Sequence, residues 1–347
     1  MFNLNDKLKK KFFLIYGYGK SGQSAYNYLK NNNKIVVYDD HKKIKNFSIP
    51  LKKIKLIEFD YIVLSPGIDI NKCRLKKFLK KNKNKIITDL DIFYLNNPDN
   101  LKITITGTNG KSTTAKLLFK ILKDQNKDVI LAGNIGIPIL SKNKINSNTI
   151  FVIEASSYQI DYSQFFKTNY AFILNISSDH LERHKSIQKY AHAKFKLILN
   201  QQKNFYSFIG KNKYLNKELK KYRVKSKVIK INPNYNKIKK LIYNNYFNNF
   251  NHLNNLSFIF EFAKIYKLNK SKLLKTINSF KGLEFRQQVI FKNKFVTIIN
   301  DSKSTSFSST INLLKSYNNI FWILGGLAKK GDKFILPDKY CKKIKCY

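Results

Sequence analysis

The sequence predicts an α/β chain made of three successive parallel-sheet units. Three observations carry that expectation. Short runs rich in Ile, Val, Phe and Tyr alternate with segments of helical periodicity. A glycine turn, Gly17-Tyr18-Gly19-Lys20-Ser21-Gly22, falls between the first such run and the first helical segment. Further along, Gly107-Thr108-Asn109-Gly110-Lys111-Ser112-Thr113 repeats that strand–loop–helix placement.

Taken in order, FFLIY (12–16), KIVVYD (34–39), YIVLS (61–65) and KIIT (85–88) read as the strands of a first series. NNPDN (96–100) is a polar break with the composition of a linker. A second series follows in KITIT (102–106), DVILA (128–132), TIFVIE (149–154) and YAFILN (170–175). Residues 200–255 are rich in Lys and Asn and are expected as short strands and loops. Residues 256–267 and 271–280 carry helical spacing. A third series opens with FVTIIND (295–301), continues with NIFWILGG (319–326), and stops at KIKCY, at or inside another strand.

Composition narrows the function classes. The 347 residues are 43% hydrophobic and 14% aromatic, enough for real cores and too apolar for global disorder. No apolar run reaches the ~18 residues that span a bilayer. The N-terminal apolar stretch runs straight into the glycine turn without a small-residue cleavage site, so a cytoplasmic protein is expected. Cys73, Cys341 and Cys346 lack metal-ligand spacing and do not make a disulfide framework. Lys and Arg total 66 against 21 acidic residues, a net charge of +45. The lysines are spread evenly among asparagines and arginine is nearly absent, so the charge reads as AT-rich compositional drift rather than a dedicated nucleic-acid surface.

Four blocks carry chemistry. The 17–22 turn, with Asp39 at the end of the following strand, suits a nucleotide whose phosphate meets a helix N-terminus; a tight turn without ligand is the competing reading. The 107–113 loop offers backbone N–H groups to phosphates, Lys111 to the β/γ-phosphates and Ser112 to Mg2+. It is a variant of the strict pattern, because Ile105 stands where that pattern has glycine. Glu154 ends a strand beside this loop and is placed to hold a metal, or to cap a helix. Asn175-Ile-Ser-Ser-Asp179-His180 follows another strand, and His180 there is a candidate ligand. Lys194 lies on the helical segment after it, and by itself reads as a solvated lysine.

The order of these blocks resembles the Mur ligase family from about residue 12 to the C-terminus. TGTNGKST (106–113) carries the family resemblance. SPGI (65–68), GNIGIPIL (133–140), EASSYQID (154–161), NISSDHLERH (175–184) and NDSKST (300–305) point within the family to the member that joins D-glutamate to UDP-N-acetylmuramoyl-L-alanine. The resemblance implies a Rossmann-like N-terminal domain (1–97), a central P-loop ATPase-like α/β domain (98–285) and an incomplete Rossmann-like C-terminal domain (286–347).

It also implies roles. Lys20, Ser21, Asp39 and Asp40 would meet the UDP portion, and Asn134, Ser156, Ser157 and Gln159 the muramoyl-peptide portion. Gly107, Thr108, Asn109, Gly110, Lys111, Ser112 and Thr113 would bind ATP, with Asn255 on the adenine and Arg286, Asp301 and Lys303 closing over it. Ser112 and Glu154 would hold one Mg2+, and His180 with a carbamylated Lys194 a second. Thr305 and Lys329 would face D-glutamate. A monomer is expected, without a membrane or specific nucleic-acid partner. The sequence departs from the family pattern at Asn251-His252, at Glu284-Phe285 and at Ser306. The short C-terminal unit is expected to be truncated and to impair amide formation. Two other readings stay open at this stage: a non-catalytic nucleotide-binding remnant, and an NAD-dependent oxidoreductase built on the first glycine turn.

Overall fold

The computed structural model describes residues 6–42, 44, 49–141, 145–248, 250–304, 307–327 and 334–346. The first sheet contains β1 (Phe12–Tyr16), β2 (Lys34–Tyr38), β3 (Tyr61–Leu64) and β4 (Ile86–Ile87), all parallel, in the order β2-β1-β3-β4. Its centre is apolar on both faces because helices cover both, and Leu14 sits in register with Val36 and Ile62. The order reverses about β1, so the turn after β1 and the loop after β3 lie side by side at the carboxyl edge. There the Ser65 hydroxyl donates to the Gly17 carbonyl at 2.7 Å. Gly22 is required by packing: a Cβ there would lie 2.0 Å from the Gly17 oxygen.

The second sheet has six parallel strands, β5 (Lys102–Thr106), β6 (Val129–Gly133), β7 (Ile150–Glu154), β8 (Tyr170–Ile173), β9 (Tyr206–Gly210) and β10 (Lys227–Ile231). Their order is β10-β9-β8-β5-β7-β6. The switch point falls at β5, which places the 107–113 loop between the ends of β7 and β8. On one face Ile103, Ile105 and Phe172 pack with Leu118 and Leu122 of helix Lys111–Asp124 and with Phe258 and Phe262 of helix Phe250–Ile265. The other face shares a core with the first sheet: Phe151, Ile153 and Ile173 join Phe13, Ile15, Leu90 and Phe93.

The 97/98 boundary is therefore a boundary in sequence and not in packing. Helix Asp89–Asn96 sends Phe93 against Phe151, ring centroids 4.7 Å apart. Asp91 of that helix is fully buried. Its Oδ1 accepts from the Ser163 hydroxyl (2.6 Å) and from the backbone N–H groups of Gln164 (3.0 Å), Phe165 (2.7 Å) and Phe166 (3.0 Å). Its Oδ2 accepts from Thr88 N–H at 2.8 Å. The expected linker is also tied: Lys102 Nζ, itself buried, donates to Pro98 O (2.9 Å) and Asn100 O (2.6 Å).

Three expectations change. The 200–255 stretch holds more helix than anticipated: helix Lys213–Lys221 lies between β9 and β10, and the helix expected at 256 starts at Phe250. Helix Lys213–Lys221 buries only Leu215 completely and is capped by the Asn212 side chain, so its lysine-rich solvent face hid the apolar period. The run 295–301 is not the opening of another parallel series. β12 (Thr297–Asn300) pairs antiparallel with β11 (Gln288–Lys292), and Asn293 Oδ1 accepts from Phe295 and Val296 N–H to fix the turn. The run 319–326 contributes only β13 (Ile320–Phe321), parallel to β14 (Ile344–Cys346). Between the second sheet and this region, Gly282 (φ +80°), Phe285 (φ +61°) and Gln287 (φ +49°) are left-handed. Among the described residues no helix is long and apolar enough to cross a membrane.

Candidate active site

The site is built at the carboxyl end of β5. Gly110 (φ +84°) turns the loop into helix Lys111–Asp124, and a Cβ there would lie 2.3 Å from Asn255 Nδ2. Only glycine satisfies both the angle and the approach. The first turn of the helix presents backbone N–H groups without intrahelical partners, the usual cradle for phosphate oxygens. Lys111 Nζ donates to Gly107 O (2.9 Å) and Thr108 O (2.7 Å), folding over the loop it belongs to. Ser112 and Thr113 are buried in the first turn.

The loop after β8 clamps this one. Asn109 N–H donates to Asn175 Oδ1 (2.8 Å), Asn175 Nδ2 donates to Asn109 O (2.9 Å), and Thr108 N–H donates to Asn175 O (3.0 Å). Ser177 N–H donates to Thr108 Oγ1 at 3.0 Å. Asn175 opens the NISSDH block, and its clamping role depends on a loop 66 residues away in sequence.

Glu154 ends β7, is buried, and has one carboxylate oxygen, Oε2, with no hydrogen-bond partner. A buried orphan anionic oxygen beside a phosphate loop suits a hard cation. Lys194, on helix Ile187–Leu199, is also buried; its Nζ lies 3.3 Å from Thr106 Oγ1 and 4.6 Å from the Tyr190 ring centroid. Burial, and then the neighbouring Lys111 charge, push its amine well below the ordinary lysine range, while Asp179 and Glu154 oppose them. His180 is left-handed (φ +54°), with Asp179 Oδ2 3.3 Å from Nε2 and Glu182 Oε1 3.6 Å from Nδ1. Among the described residues no three His, Cys, Asp or Glu side chains are close enough to chelate a metal by themselves. A cation here must complete its shell with hydroxyl, phosphate or water oxygens.

The other predicted residues separate into those open to a ligand and those already engaged. Lys20 and Asn134 are exposed. Asp39 accepts from the N–H groups of Tyr18 (2.6 Å), His41 (2.9 Å) and Lys42 (3.1 Å). Burial opposes its ionisation, but those three donors outweigh it and hold the carboxyl below its ordinary range. Asp40 accepts from the Tyr16 hydroxyl at 2.8 Å. Ser157 Oγ is 3.0 Å from His184 Nε2, and burial lowers that imidazole to about 4, so it is neutral. Gln159 has its amide N–H on Asp89 (3.1 Å) and its Oε1 on Ser156 N–H (3.1 Å). Ser156 caps helix Ser157–Tyr162. Asp89, missed in the sequence, also bonds the Ser21 hydroxyl, and burial raises its carboxyl to about 6.

Asn255 lies against Gly110, as a nucleotide-side residue would. His252, beside Asn251, stacks on Tyr246 at 4.3 Å and its Nδ1 meets Tyr246 O at 2.6 Å. Asp301 accepts from Gln287 N–H (3.0 Å) and the Ser304 hydroxyl (2.6 Å), near Arg286; the Lys303 side chain is exposed. Thr305, Ser306 and Lys329 lie outside the described residues.

Comparison with known proteins gives a consistent picture. Residues 105–273 match the Mur ligase middle domain. A UDP-N-acetylmuramoylalanine--D-glutamate ligase from Rickettsia bellii is 31% identical over 370 residues, covering 98% of this chain and 82% of that protein. The ligase of the same name from Francisella tularensis subsp. novicida is 33% identical over 363 residues, covering 100% of this chain and 82% of its own. Among solved structures, MurF ligase from Thermotoga maritima in complex with ADP superposes with a TM-score of 0.51 at 15% identity, covering 90% of this chain and 75% of that one. MurF from Acinetobacter baumannii gives 0.53 at 13% identity, covering 87% and 69%. At those identities the structural likeness speaks for the fold.

Proposed function

Because this chain belongs to the Mur ligase family, we propose that it is an ATP-dependent amide ligase that joins D-glutamate to UDP-N-acetylmuramoyl-L-alanine in peptidoglycan precursor synthesis. The observation that carries the reading is the 107–113 loop, clamped by Asn175 and flanked by a buried, part-orphaned Glu154, in a chain matched over nearly its whole length by ligases of that name.

In this reading the 1–97 domain takes the UDP portion through Lys20 and Ser21, with Asp39 and Asp40 shaping the turn that receives it. Asn134, Ser156, Ser157 and Gln159 form the muramoyl-peptide wall. The loop amides and the helix N-terminus hold the β- and γ-phosphates of ATP, and Lys111 turns from its own loop carbonyls to the γ-phosphoryl oxygens. Asn255 meets the adenine; Arg286, Asp301 and Lys303 cover the nucleotide; Thr305 and Lys329 receive D-glutamate.

Mg2+ fits the donors present: Ser112 and Glu154 would hold one ion, and His180 with Lys194 a second, neutralising charge between the phosphates. Lys194 serves as its carbamate. The amine is buried and pushed toward its neutral form, which is the form that adds to CO2 with loss of a proton; the product is an oxygen ligand of the kind Mg2+ takes. The alanyl carboxylate attacks the γ-phosphoryl group in line, the bond to the β,γ-bridging oxygen breaks, and an acyl phosphate forms as ADP leaves. The neutral D-glutamate amine then attacks the acyl carbon, and phosphate leaves with the amine's proton released as the amide forms.

The test uses Mg-ATP, UDP-N-acetylmuramoyl-L-alanine and labelled D-glutamate. Acceptor-dependent ADP release is expected, labelled amide reports the D-glutamate step separately, and Lys111→Ala abolishes ADP release while leaving the fold intact. Thermal stabilisation by NADH and none by the UDP-linked acceptor would replace this reading with the oxidoreductase.

A further inference from the structure

Arg183 stands in the short helix Leu181–His184 that follows Asp179 and His180, and its guanidinium reaches the loop after β3 of the first sheet. Its Nη2 donates to the Ile68 carbonyl at 2.5 Å, and its Nε lies 4.0 Å from Asp69 Oδ1. The cation stands over the Tyr158 ring at 4.7 Å and the Tyr162 ring at 5.4 Å. Only 10% of its side chain is exposed. A planar cation held by two aromatic faces and a partly buried carbonyl is a geometric clamp rather than a surface charge.

Both ends of the clamp lead into binding machinery. Ile68 N–H donates to Ser65 O (3.0 Å), and the Ser65 hydroxyl supports Gly17 O, so this loop braces the first glycine turn. On the other side, Arg183 N–H and His184 N–H donate to His180 O (3.1 and 3.0 Å), and His184 abuts Ser157. The 180–185 segment starts and ends on left-handed non-glycine residues, His180 and Lys185. Strain of that kind persists only where neighbours hold it.

We infer that Arg183 is a positioning residue that fixes the His180 loop of the second sheet to the nucleotide-binding edge of the first. The inference rests on the ligase reading for its catalytic consequence and on geometry alone for the clamp itself.

Amide hydrogen exchange on the full chain tests the clamp without turnover. Arg183→Met and Arg183→Lys should both speed exchange about tenfold or more at Ile68 and at 183–185, the scale of a lost charge-assisted hydrogen bond, while 107–115 stays as in wild type. Loosening in both segments at once is what a role confined to one of them would not produce. In turnover, kcat should fall about tenfold with KM for Mg-ATP within twofold. Unchanged exchange at Ile68, or full restoration by Lys, which keeps the charge but not the plane, would overturn the inference. Absence of turnover in wild type would refute the ligase reading, and the exchange result would still decide the clamp.

Discussion

Asp91 offers the sharpest test of how the first two sheets are joined. Replacing it with alanine removes the acceptor for Ser163, Gln164, Phe165, Phe166 and Thr88 in one step. The N–H groups of Phe166 and Thr88 are buried, and each should cost about 1–3 kcal/mol when orphaned. The other donors are partly exposed and recover water. The expected loss is ~3–5 kcal/mol, a large share of the ~5–15 kcal/mol of an ordinary domain. Asp91→Asn keeps one acceptor oxygen and sheds the cost of a buried charge, so it should lose less than alanine. Urea unfolding followed by far-ultraviolet circular dichroism measures both. A loss under ~1 kcal/mol for alanine would show that water satisfies the donors and that this carboxylate does not hold the joint.

Two further outcomes follow from buried groups. Asp89 has its carboxyl raised to about 6, so its contribution to stability is full below its unfolded value and fades as pH rises through 6, by ~3 kcal/mol in all. Asp89→Asn should therefore gain on wild type between pH 4 and 6.5 in urea midpoints; parallel curves would refute the assignment. Lys194→Ala should abolish Mg2+-dependent turnover and be partly rescued by a short-chain carboxylate; an undiminished rate would remove Lys194 from the site.

What was legible in the sequence was local. The 107–113 loop announced itself because glycine angles, a lysine and a hydroxyl must occur together between strand and helix, and the parallel strands are short unbroken apolar runs. Long-range engagement was not legible. Nothing near Asp39 or Gln159 in sequence says that their polar atoms are taken up by Tyr18 or by Asp89, dozens of residues away. Arg183 stands inside the NISSDHLERH block, but its partner Ile68 lies 115 residues away in the loop after β3. The β11–β12 hairpin was missed because its apolar residues are exposed on both strands, Val289, Phe291 and Ile298 among them, so no inside–outside alternation marks it.

The two junctions of the chain are unlike each other, and that asymmetry dictates where motion can occur. The first is welded: Asp91, Lys102 and the Phe93–Phe151 contact leave no slack between the first two sheets. The second passes through three left-handed residues in six, Gly282, Phe285 and Gln287, with Phe285 exposed. Displacement of the C-terminal part relative to the two sheets would be taken up at these six residues.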